Sequence, residues 1–434
     1  MQIFKKLKEV WKDLDHPFII SDNREIYFND LVNINSNHLK DVKKGDIVLL
    51  IGDFDDITLF NFFKLIEIGA IIIPVIKETK EEHKNYCSIT SANKVITGYK
   101  VNTISKKNNI NENILLKKFK AKGNSGIVFF SSGTTGMPKA ILHDINLLFK
   151  RFNTPKKSYR TVSFLMFDHM GGINTLLHTL FNGGTIITLK SRKVKDVLNV
   201  CKEHKVEVLP ATPTFLRMML ISGFVPKKVS DSLKIISYGT EQMDNSTLTQ
   251  ISKSLPNIDF RQTYGLSEFS VLRVKSKARS SLFFKLSGEG LETKIHNKIL
   301  YLRSKYVMVG YLNDKSPFDS NMWYNTKDVV EQDGDYIKII GRKSNIINVA
   351  GLKFMASDVE NIALENPKIL NAKAYAKSNP LTGQHVEIII ELKKDQKISL
   401  IEIRNYFKEK LSKHMNPQKI LFDKIKISHR FKKK

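Results

Sequence analysis

The stretch Ser131-Ser132-Gly133-Thr134-Thr135-Gly136-Met137-Pro138-Lys139 has the makings of a phosphate-holding loop. Gly133 and Gly136 allow sharp turns and a close backbone approach to an anion. Ser131, Ser132, Thr134 and Thr135 supply hydroxyl donors beside backbone N–H groups. Lys139 adds a point charge. The apolar run Gly126–Phe130 just before it reads as a buried strand, which places the loop at a strand end. This is not the Walker pattern, because no Gly-Lys-Ser/Thr closes it. Taken alone, the stretch would also suit an ordinary polar surface loop.

Five further segments carry residues of matching chemistry. The first is Leu165-Met166-Phe167-Asp168-His169-Met170-Gly171-Gly172. Ser237-Tyr238-Gly239-Thr240-Glu241 and Gln262-Thr263-Tyr264-Gly265-Leu266-Ser267-Glu268 follow. Then come Trp323-Tyr324-Asn325-Thr326-Lys327-Asp328 and the long segment from Gly341-Arg342-Lys343-Ser344 to Gly351. In this order the set resembles the adenylate-forming superfamily: acyl-CoA synthetases, aryl-CoA ligases and the adenylation domains of peptide synthetases. The resemblance runs from about Phe18 to Lys434, and six motifs in order are far more specific than any one of them.

The resemblance implies an ATP-dependent acid–thiol ligase. A carboxylate attacks the α-phosphate of ATP, giving acyl-AMP and pyrophosphate, and a thiol then displaces AMP. Both partners of the first step are anions, so the site must offset their repulsion. By resemblance, the Ser131–Lys139 loop holds the β- and γ-phosphates. Glu268 would bind Mg²⁺, a hard ion that prefers oxygen ligands, and Ser267 would donate to a phosphate oxygen. Tyr264, next to Gly265, would lie against the adenine, with Tyr238, Gly239, Thr240 and Glu241 forming its slot. Asp328 would accept the ribose hydroxyls, and Arg342 would reach ribose or phosphate. Thr134, Glu268, His169 and Lys434 are the implied catalytic residues. His169, ahead of Gly171 and Gly172, falls where acyl- and aryl-type members gate the acid pocket; a buried, hydrogen-bonded histidine reads almost as well. His143 reads as structural. Gly351 matches the glycine that admits a pantetheine arm, so the acceptor is CoA or the phosphopantetheine of an acidic acyl carrier protein. A fatty or aryl acid is favoured as substrate. An amino acid is the minority reading, because Phe167-Asp168 mimics only part of an amine-binding motif.

Some positions depart from the family pattern. Lys327 stands where glycine is usual before Asp328, so it could crowd the ribose or add charge near phosphate. Ser344 sits at the hinge position, where a rotatable backbone matters more than the side chain. At the C-terminus Lys434 takes the place of the family's catalytic lysine, with Lys432 and Lys433 as fallbacks and a frayed basic tail as the competing reading. These departures keep open a non-catalytic binding protein of the same fold.

Apolar runs and helical patterns alternate through the first two-thirds of the chain, the signature of α/β layers with largely parallel sheets. Strands are predicted at Ile47–Ile51, Ala70–Val75, Gly126–Phe130, Thr185–Leu189, Val206–Leu209 and Leu233–Ser237. Short strands dominate from about Lys285 to Ile340, with a hairpin turn at Gln332-Asp333-Gly334-Asp335. A smaller α+β module follows. By resemblance, residues 1–342 form a large AMP-binding domain of two α/β sheet subdomains plus a small β-barrel-like one. Residues 343–434 form a mobile cap pivoting near Ser344. The polar segment Lys106–Lys122 reads as a linker-like excursion.

Length and charge bound the alternatives. The 434 residues exceed one compact core. Two cysteines, Cys87 and Cys201, make no disulfide framework and suit a reducing cytoplasm. The net charge of +27 raises nucleic acid as a partner. Its excess is mostly lysine spread along the chain, without the aromatic–basic interleaving of a single-strand groove, so no nucleic-acid partner is expected. The most membrane-like run, Ile57–Ile76, holds Lys64, Glu67 and Pro74 and reads as a helix, a stop at Gly69 and a strand, so no membrane span is expected.

Overall fold

The computed structural model describes residues 3–21, 24–104, 113–131, 137–152 and 154–428. Their strands form four sheets. In one, the order across the sheet is Gly310–Tyr311, Lys139–Asp144, Gly126–Ser131, Ile71–Val75, Ile47–Ile51, Lys94–Thr97 and Lys100–Thr103. Strands Gly126–Ser131, Ile71–Val75, Ile47–Ile51 and Lys94–Thr97 run parallel. Ile47–Ile51 and Ile71–Val75 are unbroken runs of apolar, mostly β-branched residues, as strands covered on both faces must be. A second sheet orders Asp259–Gln262, Ile235–Tyr238, Val208–Ala211, Thr161–Val162, Ile186–Ile187, Ile19–Ser21 and Arg24–Ile26, parallel except for its last hairpin.

Helix Asp56–Ile68 explains the membrane-like run. Leu59, Phe60, Phe62, Phe63, Leu65 and Ile66 are all buried, so protein covers the apolar residues, while Lys64 and Glu67 pair at 3.0 Å on a part-exposed edge. Asp55 caps its start by accepting the Thr58 N–H at 2.8 Å, and Gly69 ends it in the left-handed region. Phe62 packs edge-on against Phe167, tying this helix to the segment that carries His169. No helix among the described residues is long and apolar enough to cross a membrane.

The third sheet is antiparallel and makes up the barrel-like unit. Its order is Tyr264–Leu266, Ser270–Ser276, Phe284–Ser287, Tyr336–Arg342, Tyr324–Asp333, Ile299–Ser304 and Leu291–His296. Arg151 stitches it to the first sheet. Its guanidinium donates to the carbonyls of Val271 at 3.0 Å, Phe269 at 2.7 Å and Tyr306 at 3.0 Å. Burial pulls its pKa down to about 10, yet it remains charged at neutral pH.

The fourth sheet follows a single exposed 3₁₀ turn, Lys343–Asn345. Hairpin Ile346–Val349/Leu352–Met355, hairpin Ile369–Asn379/Gly383–Leu392 and strand Lys419–Phe422 build it. Helices Ala356–Glu365 and Leu400–Lys410 cover it around Val359, Ile388, Ile390, Ile403 and Phe407. This small C-terminal α+β unit touches the larger part through polar contacts. Ser357 donates to the Ile340 carbonyl at 2.9 Å, and Arg217 donates to Asn371 Oδ1 at 3.4 Å. The architecture is therefore the expected one: two α/β sheet units, a barrel-like unit and a small C-terminal domain.

One expectation fails. Half of the presumed linker is helix Ile114–Ala121, capped by Asn113, with Leu116 and Phe119 buried. Lysines dominate its composition, but two apolar residues three apart suffice to seat one helical face.

Candidate active site

The phosphate-loop candidate is pinned at both ends. Strands Gly126–Ser131 and Lys139–Asp144 pair antiparallel, with Ser131 opposite Lys139. Ser132, Gly133, Thr134, Thr135 and Gly136 lie outside the described residues, as do Lys432, Lys433 and Lys434. Beyond the loop, Asn313 locks its exit. It accepts the Ala140 N–H at 2.9 Å and donates to the Pro138 carbonyl at 2.8 Å. Lys139 pairs with Asp314 at 2.5 Å and lies over the Tyr311 ring at 4.9 Å. That contact holds the Asp314 carboxyl below the usual range.

Glu268 sits beside the loop exit, buried, with Oε1 accepting the Tyr311 hydroxyl at 2.6 Å. Burial and then the Glu268 charge push the Tyr311 and Tyr324 hydroxyls far above their ordinary range, so both stay protonated donors. No group of three or more His, Cys, Asp or Glu that could hold a metal ion occurs among the described residues. A Mg²⁺ ion here would have one buried carboxylate from the chain and would need phosphate oxygens and water for the rest, the usual pattern for that ion. The residues present fit it in that sense.

A second polar chain faces this one. Asp328 and Arg342 are directly opposed across an antiparallel pair, and Nε of Arg342 donates to Asp328 Oδ1 at 3.0 Å. The Tyr264 hydroxyl donates to Asp328 Oδ2 at 2.6 Å. Burial pushes Asp328 above the usual carboxylate range, while Arg342 and Tyr264 pull it back. Each carboxylate oxygen keeps a free lone pair, so Asp328 can still accept two hydroxyls from one ligand. The Arg342 side chain is about half exposed, leaving its outer nitrogens open to an anion. Arg342 also feels the fields of Tyr324 and Glu268, which links the two chains into one cluster.

Lys327 lies on the surface. Its backbone takes the left-handed conformation, φ +61°, and its side chain is exposed. Glycine is the cheap residue for that backbone, and a lysine there costs about 1–2 kcal/mol.

His169 caps helix Met170–Leu180, its Nδ1 accepting the Gly171 N–H at 3.0 Å. Nδ1 is therefore the acceptor and Nε2 carries the proton of the neutral ring. Gly172 is required by packing: a Cβ there would stand 2.0 Å from the Met166 carbonyl oxygen. Tyr238 turns its ring into the core, so its backbone alone is left to serve the adenine slot. Its carbonyl accepts the Thr263 N–H at 2.7 Å. Glu241 is committed elsewhere, accepting the Thr214 hydroxyl at 2.7 Å. His143 is structural as expected: its Nε2 donates to the Ser267 carbonyl at 2.7 Å, and burial lowers its pKa to about 4. Ser267 is thereby held by its backbone. Thr240, φ +71°, shapes the turn after Gly239, and Gly265 opens the tight pairing of Tyr264–Leu266 with Ser270–Ser276.

Gly351 and Ser344 lie apart from this cluster. Ala350 and Gly351, φ +51° and +87°, form the two-residue turn between Val349 and Leu352. Nothing stands within 4 Å of where a Gly351 Cβ would be. Ser344 occupies the exposed turn between the barrel-like unit and the C-terminal sheet.

Sequence reasoning missed Tyr311, Asn313 and Asp314. They reach the loop because strand Gly310–Tyr311 pairs with Lys139–Asp144, a contact between segments far apart in the chain. The Tyr-Leu-Asn-Asp run itself was the only local signal.

Residues 15–282 match the model of the family described as AMP-binding enzyme. A 4-coumarate–CoA ligase-like protein of Arabidopsis thaliana is 24% identical over 328 residues, 68% of this chain and 58% of the relative. The 2-succinylbenzoate–CoA ligase of Bacillus subtilis is 23% identical over 334 residues, 71% of this chain and 67% of that protein. The chain thus spans under three-fifths of the length of several curated relatives it matches. Among solved structures, an anthranilate CoA ligase in complex with anthranoyl-AMP superposes with a TM-score of 0.80 at 18% identity, covering 99% of this chain and 95% of that one. The ATP-bound MatB of Rhodopseudomonas palustris gives 0.79 at 16% identity, covering 99% and 96%. At such identities these two likenesses speak for the fold.

Proposed function

We propose that this chain, which belongs to the AMP-binding enzyme family of the adenylate-forming superfamily, is an ATP-dependent acid–thiol ligase. The observation that carries the reading is the joining of two polar chains, Glu268–Tyr311 beside Lys139 and Tyr264–Asp328–Arg342, into one cluster. The first supplies charge for a triphosphate tail. The second supplies a carboxylate for a sugar and a cation for phosphate.

In the first half-reaction an acid oxygen bonds to the α-phosphorus and the bond to pyrophosphate breaks. Lys139 and the hydroxyls of the Ser131–Lys139 loop hold the departing β- and γ-phosphates. Lys139 leaves Asp314 to do so, an exchange of one partly exposed anion for a stronger one. Glu268 would hold Mg²⁺, which supplies charge neutralisation at the phosphates. Asp328 fixes the ribose, and Tyr264, tethered to it, sets the adenine plane. Arg342 offers charge-assisted hydrogen bonds worth about 1.5–3 kcal/mol each. Lys434 is the proposed bridge between acid and α-phosphate, with Lys432 and Lys433 as neighbours of the same charge. In the second half-reaction a pantetheine thiol attacks the acyl carbon and AMP leaves; the small C-terminal domain turns about Ser344 between the two steps.

His169, held at a helix start beside Gly171, flanks the acid pocket. A fatty or aryl acid is the favoured substrate: the His169-Met170-Gly171-Gly172 run supports it, and the names of the 2-succinylbenzoate–CoA ligase and the anthranilate CoA ligase carry aryl acids. Incubating the protein with ATP, Mg²⁺ and a panel of fatty, aryl and amino acids tests this by mass spectrometry. An acyl-AMP is expected from a member of the first two groups. Adenylates from amino acids alone would overturn the substrate class.

A further inference from the structure

We propose that the outer face of the barrel-like unit binds single-stranded nucleic acid, a function separate from the ligase reaction and independent of it. Aromatic and basic residues do not alternate along the sequence; strand pairing interleaves them across three strands instead. Lys294 stands directly opposite Tyr301, and Tyr301 opposite Asn325. Leu300 and Leu302 are buried, so Tyr301 and Arg303 point outward on the alternate positions of the same strand. The Lys294 ammonium lies over the Trp323 ring at 4.2 Å and over the Tyr301 ring at 5.5 Å. The Arg303 guanidinium lies over Trp323 at 4.7 Å. The Asn325 amide donates to the Tyr301 hydroxyl at 3.1 Å. Both rings are partly exposed, and strand Leu291–His296, which carries Lys294, is the last of its sheet.

Two further lysines border this face at a conformational cost. Lys298 closes the two-residue turn Asn297-Lys298 between the first two strands. Lys327 follows Asn325, whose Oδ1 accepts the Lys327 N–H at 2.9 Å. Both lysines are exposed and both hold φ +61°, where glycine is the cheap residue. Strain of this kind, kept at two positions of one face, points to a use for the charge. Lys294, Lys298 and Lys327 form no ion pair among the described residues. Lys285, Lys305 and Lys338 of the same unit pair with Asp335, Glu289 and Glu331. Of the nearby carboxylates, Glu292 is taken up by Arg303 at 2.9 Å, and Asp319 accepts the N–H groups of Asn321 and Trp323 at 2.9 Å.

A single strand presents what this face lacks: flat bases for two aromatic rings and a row of phosphates for three unneutralised lysines. An arriving phosphate draws Lys294 off the rings and a base takes its place there. Asn325 and the Tyr301 hydroxyl supply hydrogen-bonding groups beside the stack. A face three strands wide does not enter a duplex groove, which admits a helix or a two-stranded ribbon. A lipid surface fits less well. The outward residues Glu292, Lys294, Tyr301, Arg303, Trp323 and Asn325 are charged, polar or aromatic, and the exposed Met322 beside them offers little apolar area to enter a bilayer. The net charge of +27 adds long-range attraction for a polyanion.

The test titrates the full chain with a short labelled oligouridylate and follows both its anisotropy and tryptophan emission. Of the two tryptophans, Trp11 is buried with Nε1 donating to the Leu180 carbonyl at 2.8 Å, so Trp323 is the reporter. Saturable binding with quenching is expected, its logarithm falling against that of salt with a slope of about −2, as about three phosphate contacts on a single strand give. Lys294→Ala and Tyr301→Ala should each weaken it at least about fivefold, and Lys410→Ala on the C-terminal unit should not. Lys327→Gly should weaken it at least about threefold while leaving the thermal midpoint level or higher, so that the loss is not one of folding. No binding at low salt, or binding that these variants leave intact, overturns the proposal. Equal displacement by polyglutamate overturns it too, since any polyanion would then serve. Attachment to phosphatidylserine vesicles that the same variants abolish, with no oligouridylate bound, would assign the face to a membrane and overturn it as well.

Discussion

His143 packs edge-on to Phe129 and donates to the Ser267 carbonyl, and burial holds its pKa at about 4. The unfolded chain titrates this group near 6.5. Between those values the unfolded state binds a proton that the folded state refuses. Stability is therefore full above pH ~6.5 and is lost as pH falls toward 4, by about 3 kcal/mol in total. His143→Gln keeps a donor for Ser267 and should lose less over that window; parallel falls in thermal midpoint would contradict a buried neutral ring. Asp328 presents the opposite case, since burial raises its pKa and makes its charge costly. Asp328→Asn should leave the thermal midpoint level or higher, while the KM for ATP rises roughly 10- to 100-fold, the worth of about 1.4–2.8 kcal/mol. An unchanged KM would remove Asp328 from the ribose site. Asp328, Arg342, Glu268 and Tyr264 were legible because their motifs are local in sequence. Tyr311 and Asp314 were not, because only strand pairing brings them to Glu268 and Lys139.

At the scale of elements, the strand–loop–strand unit around residues 126–144 and the loop–helix unit around residues 165–180 position the site. The second depends on a bare α-carbon at Gly172, where a Cβ would meet the rigid Met166 carbonyl. Gly172→Ala should destabilise by about 1–3 kcal/mol. Gly171→Ala meets only the movable ends of His169 and Leu165, at 3.0 Å, and should cost less. Urea denaturation of both variants checks the order, and a reversed order would mean the loop relaxes freely. The strands Ile47–Ile51 and Ile71–Val75 and the helix between them were readable from apolar runs with a glycine stop. Helix Ile114–Ala121 was not, because two buried residues among lysines make too faint a stripe. Strand Lys139–Asp144 was hidden too, being the far arm of the loop whose glycines dominated the reading.

Across the whole molecule, the C-terminal unit is joined to the rest through one exposed turn, with the Glu268–Asp328 cluster before it in the chain and the Gly351 turn after it. If the C-terminal domain turns between half-reactions, stiffening that turn should affect them unequally. Ser344→Pro is expected to keep pyrophosphate exchange within about threefold while slowing thioester formation by about tenfold or more, as for a gated step. Equal effects on both would argue against a pivot there. The central claim is that one cleft binds ATP and joins an acid to its α-phosphate. Exchange of labelled pyrophosphate into ATP, measured over fatty, aryl and amino acids with Glu268→Ala as the blank, tests it most directly. The account expects exchange that depends on one class of acid and falls at least about a hundredfold in Glu268→Ala, a loss of about 2.7 kcal/mol at the transition state. No exchange with any acid, or exchange that Glu268→Ala leaves intact, would contradict it.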